Sequence, residues 1–483
     1  MTKYLMFQGT SSHVGKSILT AALCRIFFRE GRRVAPFKAQ NMALNSFVTA
    51  DGLEMGRAQV AQAEAARLAP RVEMNPVLLK PTGNQTSQVI INGKPVGVMS
   101  AAEYHTGYAL KAFDAVKVAL DKLSAEFDTI VIEGAGSPAE VNLKANDIVN
   151  MRVAKHLNAP VILVADIDRG GCLASIVGTL ELLDDDERAL VKGLIINKFR
   201  GDVNLFLPAV DFLERKTQKP VLGIVPYIDK LGIDDEDSVS LDDKISSTGG
   251  DISIAVIRLG KLSNFTDFES LAGESDVKLF YATAPDELDA ADVIILPGSK
   301  NTSEDLIALR QNHFAEKIFQ RHSSGAAIVG ICGGFQMLGE KIFDPLQTES
   351  THVELDGLGL LPLKTTFATE KFTRQVTLDV DFDFLGSRIV SENLDGYEIH
   401  SGTTNLHGQK IISAGNVFGT YVHGIFDNDD FRRQFLNAVR RRKNLEPLAS
   451  TRNFRAEKQK KYDQLAEVVR ESLNMKLLAE IMS

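Results

Sequence analysis

The chain has 483 residues, 44% hydrophobic and 24% charged, and Lys+Arg 54 against Asp+Glu 63 leave a net charge of −9. This length exceeds a single core, the acidic balance argues against a broad nucleic-acid surface, and no apolar run is long enough for a membrane span, so neither nucleic acid nor membrane is expected as a partner. Cys24, Cys172 and Cys332 are widely spaced and odd in number, and the first strand begins by Lys3 with no room for a cleavable leader, which together point to the reducing cytoplasm.

The run YLMFQ is a short apolar strand that leads into Gly9-Thr-Ser-Ser-His-Val-Gly15-Lys16-Ser17 and then a helical pattern. Five residues separate the two glycines, one more than in the usual phosphate-binding loop, and the physics is unchanged. Backbone N–H groups from Gly9, Thr10 and Gly15 to the helix N-terminus can surround phosphate oxygens. Lys16 can neutralise β/γ charge, and Ser17 can ligate Mg²⁺.

The strands predicted next are RRVAPFKA, TSQVIIN, DTIVIEG, APVILVADI, VKGLIINKF and KPVLGIVPY, with helical patterns such as GRAQVAQAEAARLA between them. Their continuous aliphatic runs predict a mainly parallel α/β sheet over residues 1–230, buried on both faces. Asp51 is followed by Gly52, so it reads either as a turn residue or as an acidic ligand. Glu133 ends a strand before Gly134 and Gly136, where a carboxylate would reach bound phosphate. Asn197-Lys198 resembles half of a guanine-recognition motif, but Arg200 stands where the aspartate is needed. ATP is therefore expected over GTP, with Asn197 either a base contact or a structural strand end.

An acidic stretch, residues 231–250, predicts a linker. A second α/β series over 251–445 begins ISIAVIRLG, VKLFYAT, ADVIILPGS and GAAIVGICGG, continues through more β-like segments, and is followed by a helical tail over 446–483. The basic run Arg440–Lys443 reads as a solvated helix face. Gly330-Ile-Cys332-Gly-Gly334 is a strand–turn–helix elbow carrying a thiol. Its glycines permit a strained turn and close approach of a substrate, and a helix N-terminus favours the thiolate that attacks. Cys24 and Cys172 read as buried structural residues. His423 lies late in the domain and after a strand, a position that favours catalysis over a structural histidine.

Three resemblances sharpen this reading. The longer loop with Gly9-Thr10 is similar to the dethiobiotin-synthetase branch of P-loop enzymes, and Ser11 stands where partition ATPases carry a signature lysine. That branch holds Mg²⁺ with the loop hydroxyl and two acidic residues, which implies Ser17, Asp51 and Glu133; its substrate-facing lysine implies Lys38. The segment C-G-G-F-Q resembles the class I glutamine amidotransferases, which implies that Gln336 helps hold L-glutamine and that Gly298, Ser299 and Gly333 lie at the oxyanion hole. The usual His-x-Glu is here His423-Gly424-Ile425, as in the cobyrinate-type subgroup. A Cys–His dyad follows, with the third member open. GYEIHSG (Tyr397, Glu398, His400) also resembles that subgroup, either in a functional role or as a strand end.

With PFKAQNMALNS, ADGLEMGRAQ, NPVLLKPTGNQTSQVIINGKPVG and DIDRGG added, roughly residues 1–445 resemble the corrinoid-amidating enzymes of vitamin B12 biosynthesis. The resemblance implies ATP- and glutamine-dependent amidation of the b, d, e and g propionates of adenosylcobyrinic acid a,c-diamide. The sibling branch that amidates the a and c positions is the alternative, and Lys38 to Gly97 resembles it less well. A homo-oligomer is left open.

Overall fold

The computed structural model describes residues 2–83, 85–228, 249–406 and 408–483, so the expected linker lies outside the described residues except for Gly249 and Gly250. The chain divides into two compact units. One contains 1–43, 54–236 and 458–483, and the other 44–53 and 237–457.

The first unit is built on a six-stranded parallel sheet in the order Val221–Pro226, Val191–Phe199, Val161–Asp166, Lys3–Gly9, Thr129–Glu133, Val34–Phe37. Every residue of Thr129–Glu133 is buried, as aliphatic runs between two helix layers require. Lys3–Gly9 is central, so the phosphate-loop sequence emerges between the ends of Thr129–Glu133 and Val161–Asp166. Leu5, Phe7, Leu19, Leu23, Phe27 and Val131 form the core with Tyr462, Leu465 and Val469. The last three come from the helix Phe454–Ser472, so the helical tail is part of this unit's core.

TSQVIIN departs from the expected parallel series. Thr86–Ile91 sits in a separate four-stranded sheet, antiparallel to Val77–Gly83 and Lys94–Ser100. The reason is the Asn92-Gly93 turn, where φ is 49° and 76°, the geometry that closes a two-residue hairpin.

The second unit has a six-stranded sheet in the order Val277–Ala282, Ile252–Ile257, Val293–Leu296, Ala327–Ile331, Val417–Thr420, Ile411–Ala414, parallel except for the last pair. A second sheet carries a long hairpin, Lys364–Phe384 with Ser387–Thr404, on which Val422–His423 pairs with Tyr397 and Glu398. Residues 44–53 join this unit, with Phe47 and Val48 packed on Tyr397 and Ile399. The basic run is only partly the solvated face expected. Arg440 is buried and pairs with Asp251 at 2.8 Å and Asp276 at 3.1 Å, while Arg441, Arg442 and Lys443 are exposed.

Candidate active sites

In the first unit the phosphate loop ends at Gly15, φ 96°, directly before the helix Lys16–Arg29. A Cβ at Gly15 would lie 2.1 Å from Asn197 Nδ2, so glycine is required by space as well as by φ. Asn197 Nδ2 donates to Val14 O at 2.8 Å, and Lys198 Nζ donates to His13 O at 2.7 Å and to Asp166 at 2.9 Å. Both side chains thus hold backbone carbonyls of the loop. Thr10 N donates to Val164 O at 2.9 Å, fixing the other end of the loop to the sheet. Lys16 Nζ donates to Ser11 O at 3.0 Å and Gly136 O at 3.1 Å, which holds the ammonium over the loop.

Glu133 is the charged centre of this site. Its Oε1 accepts from Ser17 Oγ at 2.8 Å and from the buried Lys38 ammonium at 2.9 Å, and its Oε2 accepts from Gln62 Nε2 at 2.5 Å. Lys16, Ser17, Lys38 and Glu133 are therefore brought together as expected of one site. Asp51 belongs to the other unit. It is exposed in the second unit, in a turn that Gly52 N closes on Thr49 O at 2.9 Å, and it accepts from Thr49 Oγ1. Ser17 and Glu133 offer hard oxygens suited to Mg²⁺, which holds on to several waters and takes only one or two carboxylates. Among the described residues there is no group of three or more His, Cys, Asp or Glu side chains that could hold a metal ion.

In the second unit the strand Ala327–Ile331 turns at Cys332, φ 51° and ψ −107°, into the short helix Gly333–Leu338. A Cβ at Gly334 would lie 1.9 Å from Leu296 O, and one at Gly333 2.9 Å from Ser299 N. The glycines thus let the elbow seat against Gly298–Ser299. A Cβ on Gly298 would lie 3.3 Å from His423 Cε1, so the expected oxyanion strand borders the imidazole. Ser299 Oγ donates to Asp305 at 2.6 Å, and Asp305 also accepts from Lys261 N at 3.2 Å. Burial pushes the Asp305 carboxyl up to about 6, although these hydrogen bonds pull the other way. Gln336 is buried with its amide committed to Thr302 Oγ1 at 3.0 Å and to Ser401 O and Tyr421 Oη, both at 3.1 Å.

His423 is 1% exposed, and its Nδ1 lies 2.6 Å from Asp267 Oδ2, while Gly424 N donates to Asp267 Oδ1 at 3.0 Å. Burial alone would lower the imidazole pKa, but the charges of Asp267 and Cys332 and a hydrogen bond to each push it up to about 10. Asp267 thus occupies the place of the orienting acid that Ile425 cannot fill. The ring of Tyr397 stacks on His423 at 5.2 Å, and its hydroxyl donates to Ser46 O at 3.2 Å. Glu398 pairs with Arg374 at 2.7 Å and Lys410 at 2.9 Å. His400 stacks on Tyr421 at 3.8 Å, and burial lowers its pKa to about 4.

Known proteins agree with this two-site architecture. Residues 5–240 match the family described as CobQ/CobB/MinD/ParA nucleotide binding domain, and 253–431 match the CobB/CobQ-like glutamine amidotransferase domain. The cobyric acid synthase of Carboxydothermus hydrogenoformans is 52% identical, with 100% of both chains covered. That of Moorella thermoacetica is 50% identical over 100% of this chain and 98% of its own, and that of Desulfitobacterium hafniense strain DCB-2 is 51% identical over 99% and 97%.

The chain belongs to the cobyric acid synthase family. The family's reaction is the glutamine-dependent amidation of cobyrinic diamide in cobalamin biosynthesis, and the chain is a glutamine-hydrolysing amide ligase with a P-loop nucleotide-binding domain. In this cobyric acid synthase family member Asp267 contacts His423 and Gln62 contacts Glu133, and no signal in the sequence singles out either residue. Asp267 lies 156 residues before His423, in LSNFTDFES, where Glu269 is a second acid and nothing local sets the two apart. Gln62 is one of several polar residues in the helix Arg57–Ala65, where periodicity singles out none. Among the described residues no helix is long and apolar enough to cross a membrane.

Proposed function

We propose that the chain converts adenosylcobyrinic acid a,c-diamide to adenosylcobyric acid in the cytoplasm, amidating the b, d, e and g propionates with one L-glutamine and one ATP each. The single observation that carries the ligase half is the convergence of Ser17 and Lys38 on Glu133 beside Lys16. The loop N–H groups of Gly9 and Gly15 bind the triphosphate, Thr10 N anchors the loop to Val164 O, and Lys16 neutralises the β/γ charge. Ser17 and Glu133 would hold Mg²⁺. When bound, the cation supplies charge neutralisation on the transferring phosphoryl group. Lys38 orients the propionate carboxylate, which takes the γ-phosphoryl of ATP and becomes an acyl phosphate that ammonia displaces.

Ammonia comes from the second unit. Cys332 passes its thiol proton to His423 and its Sγ attacks the carboxamide carbon of glutamine; the negative charge on the tetrahedral oxygen is held by the backbone N–H groups of Ser299 and Gly333, with Gly298 giving the strand its close approach. His423, its Nδ1 held by Asp267, gives its Nε2 proton to the leaving nitrogen. It then removes a proton from the water that hydrolyses the thioester. Gln336 braces the elbow beside the bound glutamine.

The test uses the full chain with a,c-diamide corrinoid and Mg-ATP, with product mass as the readout. Cys332→Ala is expected to lose glutamine-driven amidation and to regain it with ammonium salts at raised pH. Lys16→Ala is expected to lose it with either nitrogen source. Glutamine-driven product from Cys332→Ala, or four amides formed by Lys16→Ala, would overturn the assignment.

A further inference from the structure

Gln62 does something that core packing does not ask of it. It is 1% exposed, and its Nε2 reaches Glu133 Oε2 at 2.5 Å and Ser17 O at 3.5 Å. A carboxylate only accepts, so the amide nitrogen faces Glu133 and the carbonyl oxygen faces elsewhere. That oxygen is buried and has no hydrogen-bond partner. An unpaired buried acceptor costs stability, a loss that an apolar side chain of equal length would avoid. The position nevertheless carries an amide, next to the two oxygens assigned above to the cation.

We propose that Gln62 is a positioning residue of the Mg²⁺ site. Its N–H orients Glu133, and its Oε1 accepts a hydrogen bond from a water of the cation's hydration shell. This rests on the reading of Ser17 and Glu133 as metal ligands. Mg²⁺ dehydrates reluctantly and keeps several waters, so an acceptor just beyond its direct ligands is chemically apt. Groups that hydrogen-bond a ligating carboxylate typically change metal affinity by about 10–100-fold when removed. Gln62 also touches the backbone of Ser17, so one side chain fixes the spacing of both ligands.

The experiment titrates Mg²⁺ calorimetrically into the full chain saturated with a non-hydrolysable ATP analogue, for wild type, Gln62→Met and Glu133→Gln. Analogue binding in EDTA and thermal unfolding are measured alongside. Methionine keeps the length and removes the unpaired oxygen, so the variant is expected to fold; Gln62→Leu replaces it if it does not. Gln62→Met is expected to weaken Mg²⁺ binding by about 10-fold or more, with analogue affinity in EDTA unchanged. Wild-type Mg²⁺ affinity in a folded Gln62 variant, with Glu133→Gln impaired, would overturn this inference alone. Wild-type affinity in Glu133→Gln would overturn the metal reading on which it rests.

Discussion

Both units place their chemistry where a buried parallel strand turns into a helix, yet the backbone strain falls differently. In the first unit the turn residue is Gly15 at φ 96°, ahead of a 14-residue helix; in the second it is Cys332 itself at φ 51°, ahead of a six-residue one. Glycine adopts positive φ without steric cost, whereas a side-chain-bearing residue there stores on the order of 1–3 kcal/mol. The difference follows from what each turn must present. Phosphate is held by N–H groups, so a turn without a side chain serves. A nucleophile needs its Sγ at the apex, and the strain stays with the residue that reacts. The charges are also reversed: Glu133 is an anion ringed by three donors, and His423 is a base flanked by Asp267 and Cys332.

The largest expected effect breaks the second site and spares the first. Asp267→Asn should lower glutaminase kcat by about 10²–10⁴-fold, because an amide favours the wrong imidazole tautomer. Ammonium-driven synthesis should be unchanged; equal loss with both nitrogen sources would mean that the two sites are not chemically separate. The same variant changes alkaline stability. A histidine whose pKa is raised to about 10 contributes stability that is full below its ordinary range near 6.5 and lost as pH rises through 10. Melting temperatures of the variant should therefore lose that alkaline decline.

A smaller effect is expected from Gly15→Ala, which puts a Cβ 2.1 Å from Asn197 Nδ2 at φ 96°. Loop distortion should cost about 1–3 kcal/mol in ATP-analogue binding, read by titration, with glutaminase unaffected. Undiminished nucleotide affinity would show that the loop tolerates strain as the cysteine elbow does.

The smallest concerns Glu349, which accepts from Thr302 N at 2.8 Å at the start of the helix Thr302–Gln311. Burial pushes its carboxyl up to about 7, so the folded state holds a proton that the unfolded chain releases near pH 4.5. Stability is present below pH 4.5 and falls as pH rises through 7. Glu349→Gln should flatten that fall by on the order of 2 kcal/mol, read as the difference in unfolding free energy between pH 5 and 8.

What could be read from the sequence was whatever is contiguous. Gly9 to Ser17, Cys332 to Gln336 and the buried aliphatic strands each declare themselves within a few residues, because strand, turn and helix are local. Asp267 could not be read that way: it meets His423 across 156 residues, through a one-turn helix that periodicity does not mark. An aliphatic run such as TSQVIIN fits either kind of sheet until the Asn92-Gly93 turn that follows it is weighed. Asp51 had two local readings, and its neighbours in the fold are those of a turn. Arg440 had the local look of a solvated residue and lies against Asp251 and Asp276, far away in sequence.

Residues 44–53 belong to the second unit although the chain on either side of them belongs to the first, and 458–483 return to the first after the second is complete. No single cut in the polypeptide therefore yields two whole pieces. A fragment beginning at residue 251 would leave Tyr397 and Ile399 without Phe47 and Val48, and one ending at residue 230 would lack Tyr462, Leu465 and Val469. Exchanging either half as a cassette would require breakpoints at 43/44, 53/54, 236/237 and 457/458 together. The two activities look like beads on a string in the sequence, but the chain is threaded so that they are inherited as one.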